Sequence, residues 1–185
     1  MVEISDEYIL SLFANSKTKE QAFELLLKKY QRTIYYNARR IVVSHEDAND
    51  VTQNACIKIW KNLDGFRGES SLKTWITKIC TNEALTFVEK KKKLLNLTED
   101  NYTDFMAISQ ADVNFIPSSE IEQLLQEAIL RLPPKQRAVF TMRYYDETPY
   151  AEMSQIFDTS ESALKASYHF AAEKIKKSLS EHLTF

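Results

Sequence analysis

Apolar positions in the first half of the chain recur with the period of an α-helix. Over residues 19–43 they are spaced by three and four, which predicts one long amphipathic helix. A second helix is predicted over residues 46–63, with Ser44 as its N-cap and Asp47 three residues further along the chain. This part of the chain is therefore predicted to be a bundle of amphipathic helices.

A third helix is predicted after a short loop that contains Gly65 and Gly68. Either Ser70 or Ser71 caps this helix, which continues into the four lysines at 90–93. Its inner stripe is apolar, and we expect the following residues to point outward: Lys73, Thr74, Thr77, Lys78, Thr81 and Asn82. A face of this kind is often only solvated, but it also suits contacts with phosphates and base edges.

The sequence pattern predicts four more helices in the second half of the chain. One covers residues 121–132 and stops at two prolines, and the next covers residues 137–145. A short helix over residues 149–157, capped by Thr148, has proline at its first position, and a three-residue turn then leads to a long final helix capped by Ser160. Short helix, turn and longer helix form the layout of a helix-turn-helix. An ordinary helical hairpin is the alternative, because the turn lacks glycine and the outer face is weakly basic.

Composition supports an all-α fold and excludes several classes of protein. The 185 residues include two glycines and four prolines, too few for a sandwich, a barrel or a nucleotide-binding sheet. No apolar run approaches the roughly 18 residues of a membrane span, and the acidic first ten residues lack a signal-peptide pattern. The histidines are isolated, and Cys56 and Cys80 fall in helical stretches. We therefore expect a cytoplasmic protein with reduced thiols, no metal and no cofactor.

Charge divides the chain into three parts, although the net charge is only −2. There are 16 bases and 12 acids in residues 1–93, no base and seven acids in 94–130, and eight bases and seven acids in 131–185. This division predicts two small helical domains, 1–95 and 120–185, joined by a flexible acidic linker over 96–119. The linker composition fits a solubilising connector and a functional segment equally well.

The loop before the third helix carries candidate chemistry for nucleic-acid binding. Phe66 and Arg67 lie between the two glycines. An aromatic ring beside a basic helix face suits the stacking of unpaired bases, which contributes about 1–3 kcal/mol per base. The alternative is a helix connector with one buried ring.

Three motifs follow one another along the chain. Residues 47–53 read DANDVTQ and are followed by Trp60, residues 66–76 read FRGESSLKTWI, and residues 132–137 read LPPKQR ahead of the helix-turn-helix. They resemble, in this order, the core-binding helix, the promoter-melting loop with the minus-ten helix, and the start of the C-terminal domain of a sigma factor. Together they are similar to the small extracytoplasmic-function (ECF) sigma factors of bacterial RNA polymerase.

The resemblance implies a non-enzymatic protein that binds core RNA polymerase and directs promoter-specific transcription initiation. Contacts with the polymerase core would come from Asp47, Asp50, Gln53 and Asn54. Contacts with the minus-ten element and its melted non-template strand would come from Phe66, Arg67, Ser70, Lys73, Thr74, Lys78 and Asn82, whereas Trp75 would mainly pack. Contacts with the duplex minus-thirty-five element would come from Ser162, Lys165, Ala166 and His169.

The resemblance also implies partners and a role for the linker. Core RNA polymerase and promoter DNA would be the main partners, and an anti-sigma factor could clamp the two domains together. The acidic linker would lie in the basic RNA-exit path of the polymerase. We expect a monomer in the free state and no stable insertion into a membrane.

The final helix departs from the family pattern. Where the family often has V-K-S-R-L-H-R-A-R, this chain has Ser167, Phe170 and Ala172 in place of three arginines. Each lost phosphate contact reduces the steepness of the plot of log binding constant against log salt concentration by about 0.9. We therefore expect weak DNA binding by the C-terminal part alone, with promoter affinity arising in the polymerase complex. In the core-binding helix, Cys56 replaces a usual aromatic residue.

Two other functions fit part of the sequence. A DNA-binding regulator that never contacts polymerase would explain the helix-turn-helix but not residues 47–53 or 66–71. A helical scaffold that binds only proteins would tolerate charge reversal at Lys78 and at 90–93. The hypothesis that this protein is an enzyme has little support, because the sequence shows no nucleophile–base pair, metal-ligand spacing or phosphate loop.

Overall fold

The computed structural model describes residues 4–98, 101–102 and 119–183, and every regular element in those ranges is helical. In chain order the helices are α1 (Asp6–Phe13), α2 (Lys19–Val42), α3 (His45–Asn62), α4 (Leu72–Leu94), α5 (Glu120–Leu130), α6 (Pro134–Tyr144), α7 (Tyr150–Phe157) and α8 (Glu161–Leu183). A 3₁₀ turn, Leu63–Gly65, lies between α3 and α4. The expected all-α fold is confirmed.

Helices α1–α4 form a bundle around α2, which packs against α1, α3 and α4. The buried stripe of α2 includes Leu26, Ile34 and Ile41, as its apolar periodicity predicts. The sequence pattern did not predict α1, an eight-residue helix at the start of the described chain. Its N-terminus is capped by Ser5, whose hydroxyl accepts a bond from the Tyr8 amide at 3.2 Å.

Serine caps decide where two of the long helices begin. The hydroxyl of Ser44 accepts the Asp47 amide at the start of α3, at 3.4 Å. The hydroxyl of Ser71, rather than that of Ser70, accepts the Thr74 amide at the start of α4, at 3.0 Å. Each hydroxyl satisfies one of the amides that a helix N-terminus leaves without an internal partner.

Helices α5–α8 build a second core in which aromatic rings stack. Phe140 lies parallel to Tyr144 and to Tyr168, with ring centroids 5.2 and 5.4 Å away. The turn between α7 and α8 passes through Asp158, whose φ of 48° is in the left-handed region that aspartate tolerates. The prediction that Thr148 caps α7 is wrong by one residue, because Pro149 occupies the N-cap position and no side chain caps this helix.

The two helical groups pack against each other. Helix α6 lies on α2 and α4, and α7 lies on α4. Buried side chains of α6 and α7, including Met142, Met153 and Ile156, belong to the same continuous core as Ile34 and Ile76 of the first bundle. The second group of helices is therefore docked on the first.

Most of the predicted linker lies outside the described residues. In its described part, Asn101 and Tyr102 belong to a helical turn, and the Tyr102 side chain is completely buried. Burial raises the pKa of the Tyr102 phenol to about 12, while the positive charge of Arg137 acts in the opposite direction. The linker is thus anchored to the protein at Tyr102, while Asn96, Thr98 and Asn101 are exposed.

Two residues of α4 expected to point outward are buried. Thr81 has no exposed surface, and its hydroxyl exchanges hydrogen bonds with the Asn37 amide group at 3.2 and 3.3 Å. Thr74 is 4% exposed. The prediction of an outward orientation is wrong for both, because α4 is covered by α2 and α3 and also by α6 and α7.

The buried pair of Asn37 and Thr81 should contribute measurably to stability. Replacing Thr81→Val keeps the shape of the side chain but removes the hydroxyl that both hydrogen bonds share. We expect a loss of about 1–2 kcal/mol in the free energy of unfolding, measured by urea denaturation followed by circular dichroism. Thr77→Val on the same helix is the control and should change the free energy by less than about 0.5 kcal/mol. Equal effects of the two substitutions would contradict this assignment.

Candidate polymerase and nucleic-acid interfaces

The residues expected to bind polymerase lie on one helix, α3, but differ in accessibility. Asp50, Gln53 and Asn54 are exposed on neighbouring positions. Asp47 is different, because its side chain is only 13% exposed and its carboxylate contacts the Lys91 ammonium at 2.5 Å. Three of the four predicted residues therefore form an open polar stripe, and the fourth ties α3 to α4.

An apolar residue that is not among the four predicted contacts extends this stripe. Ile57 lies one turn beyond Gln53 and is 47% exposed. Its signal in the sequence is an isoleucine four residues after Gln53 on an otherwise polar helix face. An exposed aliphatic side chain beside amides and a carboxylate is a common composition for a protein-binding surface.

The loop before α4 forms the wall of a cavity of about 460 Å³. Phe66 packs against Trp75, with ring centroids 5.5 Å apart, so one aromatic side chain supports the other. Arg67 is exposed, and Gly68 has a φ of 71°, which favours glycine at this turn. The cavity is lined by Gly65, Phe66, Arg67, Glu69, Ser70, Thr74, Trp75, Lys78, Gln155 and Asp158.

The structure gathers five of the seven predicted minus-ten residues around this cavity: Phe66, Arg67, Ser70, Thr74 and Lys78. Lys73 and Asn82 are exposed elsewhere on α4 and do not line it. The Thr74 hydroxyl donates to the Glu152 carboxylate at 2.9 Å, and the Lys78 ammonium contacts the Asp158 carboxylate at 2.6 Å. Both acids belong to the second group of helices, which the sequence analysis did not place here.

The residues expected to read the minus-thirty-five element are all exposed near the start of α8: Ser162, Lys165, Ala166 and His169. The Ser160 hydroxyl caps this helix by accepting the Ala163 amide at 3.3 Å. The Lys165 ammonium lies 3.6 Å from the Glu161 carboxylate and 5.5 Å from the centre of the Tyr150 ring. This face does not contribute to the cavity at α4, so the two predicted DNA surfaces are separate.

The two thiols differ in their surroundings. Cys80 is buried and donates to the Ile34 carbonyl at 3.2 Å, and burial raises the pKa of its thiol to about 12. Cys56 is half-buried, and burial raises its pKa as well. Both cysteines are free thiols in this structure. In the part of the chain that the structure describes, no three metal-ligating side chains lie close enough to hold an ion.

The sequence matches two known families. Residues 26–94 match sigma-70 region 2, and residues 122–175 match sigma-70 region 4. The ECF RNA polymerase sigma factor SigW of Bacillus subtilis is 27% identical over 171 residues, covering 88% of this chain and 91% of the relative. The ECF RNA polymerase sigma-E factor of Escherichia coli K12 is 29% identical over 167 residues, covering 86% and 87%.

Two solved structures share the fold. The sigma factor RpoE of Bartonella quintana, in complex with the anti-sigma factor NepR, superposes with a TM-score of 0.64 at 20% identity, covering 85% of this chain and 96% of that chain. CnrH, in complex with the cytosolic domain of CnrY, superposes with a TM-score of 0.66 at 16% identity, covering 95% and 97%.

The matched regions coincide with the two helical groups. Region 2 falls on α2–α4, and region 4 falls on α5–α8 up to residue 175. None of the described helices is long and apolar enough to cross a membrane. The two regions follow one another in the same order as the three sequence motifs. The ECF sigma factor relatives also match this chain over most of their own length. The chain therefore belongs to the sigma-70 family, and it is a sigma factor of the ECF type that acts in transcription initiation.

Proposed function

We propose that this sigma factor binds core RNA polymerase through α3 and melts promoters through the loop at 65–71. It works in the cytoplasm and has no catalytic activity of its own. The observation that carries this proposal is the cavity of about 460 Å³ beside Phe66, which combines an aromatic ring, an arginine and a serine hydroxyl at the start of a basic helix.

The cavity has the chemistry needed to hold a base flipped out of the melted non-template strand. The Phe66 ring can stack on the base, and Trp75 supports that ring from behind. Arg67 and Ser70 can meet phosphate oxygens or the edge of the base. Flipping a base out of the stacked strand costs a few kcal/mol. Stacking of that base on an aromatic ring offsets about 1–3 kcal/mol of this cost. Hydrogen bonds to the base edge can supply the remainder.

The open stripe on α3 supports the docking of this helix on the polymerase. Asp50 offers a carboxylate, and Gln53 and Asn54 offer amides, which suit charge-assisted hydrogen bonds with basic groups of the partner. Ile57 adds an apolar contact at the end of the stripe. Asp47 would contribute by holding α3 against Lys91 of α4 rather than by a direct contact with the polymerase.

The start of α8 supports recognition of the minus-thirty-five element in the major groove. Ser162, Lys165 and His169 can donate to bases or phosphates, while Ala166 offers a small apolar contact for a thymine methyl group. Phe170, which is 60% exposed one turn beyond Ala166, extends this apolar contact. With an aromatic ring there instead of arginine, phosphate contacts are fewer, and binding depends more on the polymerase complex.

Regulation by an anti-sigma factor is a further part of the proposal. The two solved structures most relevant to it are complexes, one with the anti-sigma factor NepR and one with the cytosolic domain of CnrY. In this chain an apolar groove of about 630 Å³ runs between α5, α6 and α8, lined by Leu125, Phe140, Tyr144, Tyr168, Ala172, Ile175, Lys176, Leu179 and Ser180. A groove of this size and composition suits one face of an amphipathic helix.

Run-off transcription on fragmented genomic DNA tests the proposed function directly. Bacterial core polymerase from a matching source is assayed with and without this protein, and transcript 5′ ends are sequenced. We expect new start sites that share two spaced upstream elements. If the protein instead binds duplex promoter DNA without polymerase and produces no new starts, it is a stand-alone regulator.

Removing the flat ring at position 66 should impair promoter melting. In Phe66→Leu, apolar packing on Trp75 is kept but the stacking surface is lost, so we expect at least about fivefold fewer open complexes. Permanganate footprinting on a promoter found by run-off transcription measures this. Tyr8→Leu, at an exposed ring on α1, is the control and should melt the promoter normally. Normal melting by Phe66→Leu would argue against base capture by this loop.

Reversing one charge on α3 should weaken polymerase binding. We expect Asp50→Lys to lower the affinity for core polymerase by about tenfold or more, because an acid that meets a basic partner becomes a like charge. Fluorescence anisotropy of the labelled protein titrated with core polymerase measures the dissociation constant. Glu20→Lys, at an exposed position of α2, makes the same charge change away from the stripe. If both variants bind core polymerase equally well, α3 is not the docking surface.

A further inference from the structure

Helix α8 carries an exposed aromatic ring on the face that was assigned to the minus-thirty-five element. Phe170 is 60% exposed, more than any other aromatic side chain in the described part of the chain. Its side chain belongs to neither of the two buried cores, and its ring lies tilted against that of His169, with centroids 6.1 Å apart. The packing of the fold therefore does not account for a phenylalanine at this position.

Two small residues precede Phe170 on the same side of α8. Ala163 and Ala166 are exposed and lie seven and four residues before Phe170, so the three side chains follow one another along one side of the helix. A single exposed ring on a protein surface needs no explanation. This ring, however, lies beyond two short side chains that let the helix approach a groove closely.

The charged residues on this part of α8 offer little to the DNA backbone. The Lys165 ammonium lies 3.6 Å from the Glu161 carboxylate, and Glu173 is exposed about two turns further along the helix. Acidic groups therefore accompany the lysine on both sides along the chain. Because phosphate contacts carry no sequence information, discrimination between promoters depends on what this helix offers to the base edges.

The major groove offers one kind of apolar group to such a ring. Among the four bases of DNA only thymine carries a methyl group, at C5, and this methyl group projects into the major groove. A helix-turn-helix places the first turns of its second helix in that groove. From Ala163 to Phe170 the helix rises about 10 Å, which corresponds to about three base pairs.

We propose that Phe170 is a specificity-determining residue that selects thymine in the minus-thirty-five element by contact with its C5-methyl group. The inference rests on the proposed binding of α8 in the major groove. An arginine at this position can bond to phosphates or to guanine, whereas phenylalanine has no donor or acceptor in its side chain and gains only by burying apolar surface. Cytosine in place of thymine would leave its amino group against the ring without a partner.

Replacement of thymine by uracil isolates the contribution of the methyl group, because the two bases have the same hydrogen-bonding edges. The full-length protein first selects its preferred site from a pool of random duplexes at low salt, without polymerase. Fluorescence anisotropy then measures the dissociation constants of the selected duplex and of its copy with uracil in place of every thymine in the site. Low salt strengthens the phosphate contacts of both duplexes, so the weak binding of the free chain can be measured.

We expect the wild type to bind the thymine duplex at least about fourfold more tightly than the uracil duplex, the change expected for one buried methyl group. In Phe170→Ala, the two dissociation constants should agree within about twofold. Phe170→Gln, which keeps a long side chain without the ring, should behave in the same way. Lys165→Ala is the matched control on the same helix, and it should weaken binding to both duplexes while keeping the wild-type preference. Circular dichroism establishes that all variants are folded.

The same comparison is made with the polymerase holoenzyme on a promoter found by run-off transcription, with uracil confined to the minus-thirty-five element. Equal binding of the thymine and uracil duplexes by the wild type would overturn the inference, and so would an unchanged thymine preference in Phe170→Ala. The first assay contains no polymerase. A thymine preference that depends on Phe170, together with no new start sites in transcription, would therefore support this inference and count against the proposed function alone.

Discussion

The buried guanidinium of Arg137 joins the two regions of this sigma factor. One of its nitrogens donates to the Leu130 carbonyl at the end of α5, at 2.9 Å, and another donates to the Ile41 carbonyl at the end of α2, at 2.6 Å. The last carbonyls of a helix have no partner within it and carry partial negative charge, so a cation is favourable there. One side chain thereby caps a helix of region 2 and a helix of region 4.

The position of α7 follows from this cap. With α6 held against α2, the short α7 lies along α4, and its acidic residues reach the donors on that helix. Tyr102, packed nearby, brings the first turn of the linker into the same contact. Both hydrogen bonds need the two helix ends in place, so the buried Arg137 guanidinium favours the packing of the two regions against each other.

Helix α7 therefore has two roles. In the helix-turn-helix it supports α8, and the left-handed Asp158 sets the turn between them. In this structure the same residue pairs with Lys78 beside the candidate base-binding cavity. The loss of arginines from the recognition helix is expected to weaken DNA binding by the free protein, so promoter affinity is predicted to arise mainly in the polymerase complex.

Local sequence determined most of the helices, because each depends on periodic apolar residues and on a nearby cap. Helices α2, α3, α4 and α8 begin or end within about two residues of their predicted bounds, and Ser44 and Ser160 cap as expected. The motifs determined the family, and the open stripe on α3 and the exposed face of α8 agree with the residues expected there. Their roles as polymerase and DNA contacts remain predictions.

Only the tertiary structure decided which parts of these surfaces are accessible. Thr74 and Thr81 have the sequence signature of an outer face, yet one is covered by region 4 and the other bonds to Asn37 inside the bundle. No local pattern encodes the approach of Asp158 to Lys78, which are 80 residues apart in the sequence. Such contacts depend on how whole helices pack, and packing is set by the combined shape and polarity of both partners, whereas periodicity and capping act within a few residues.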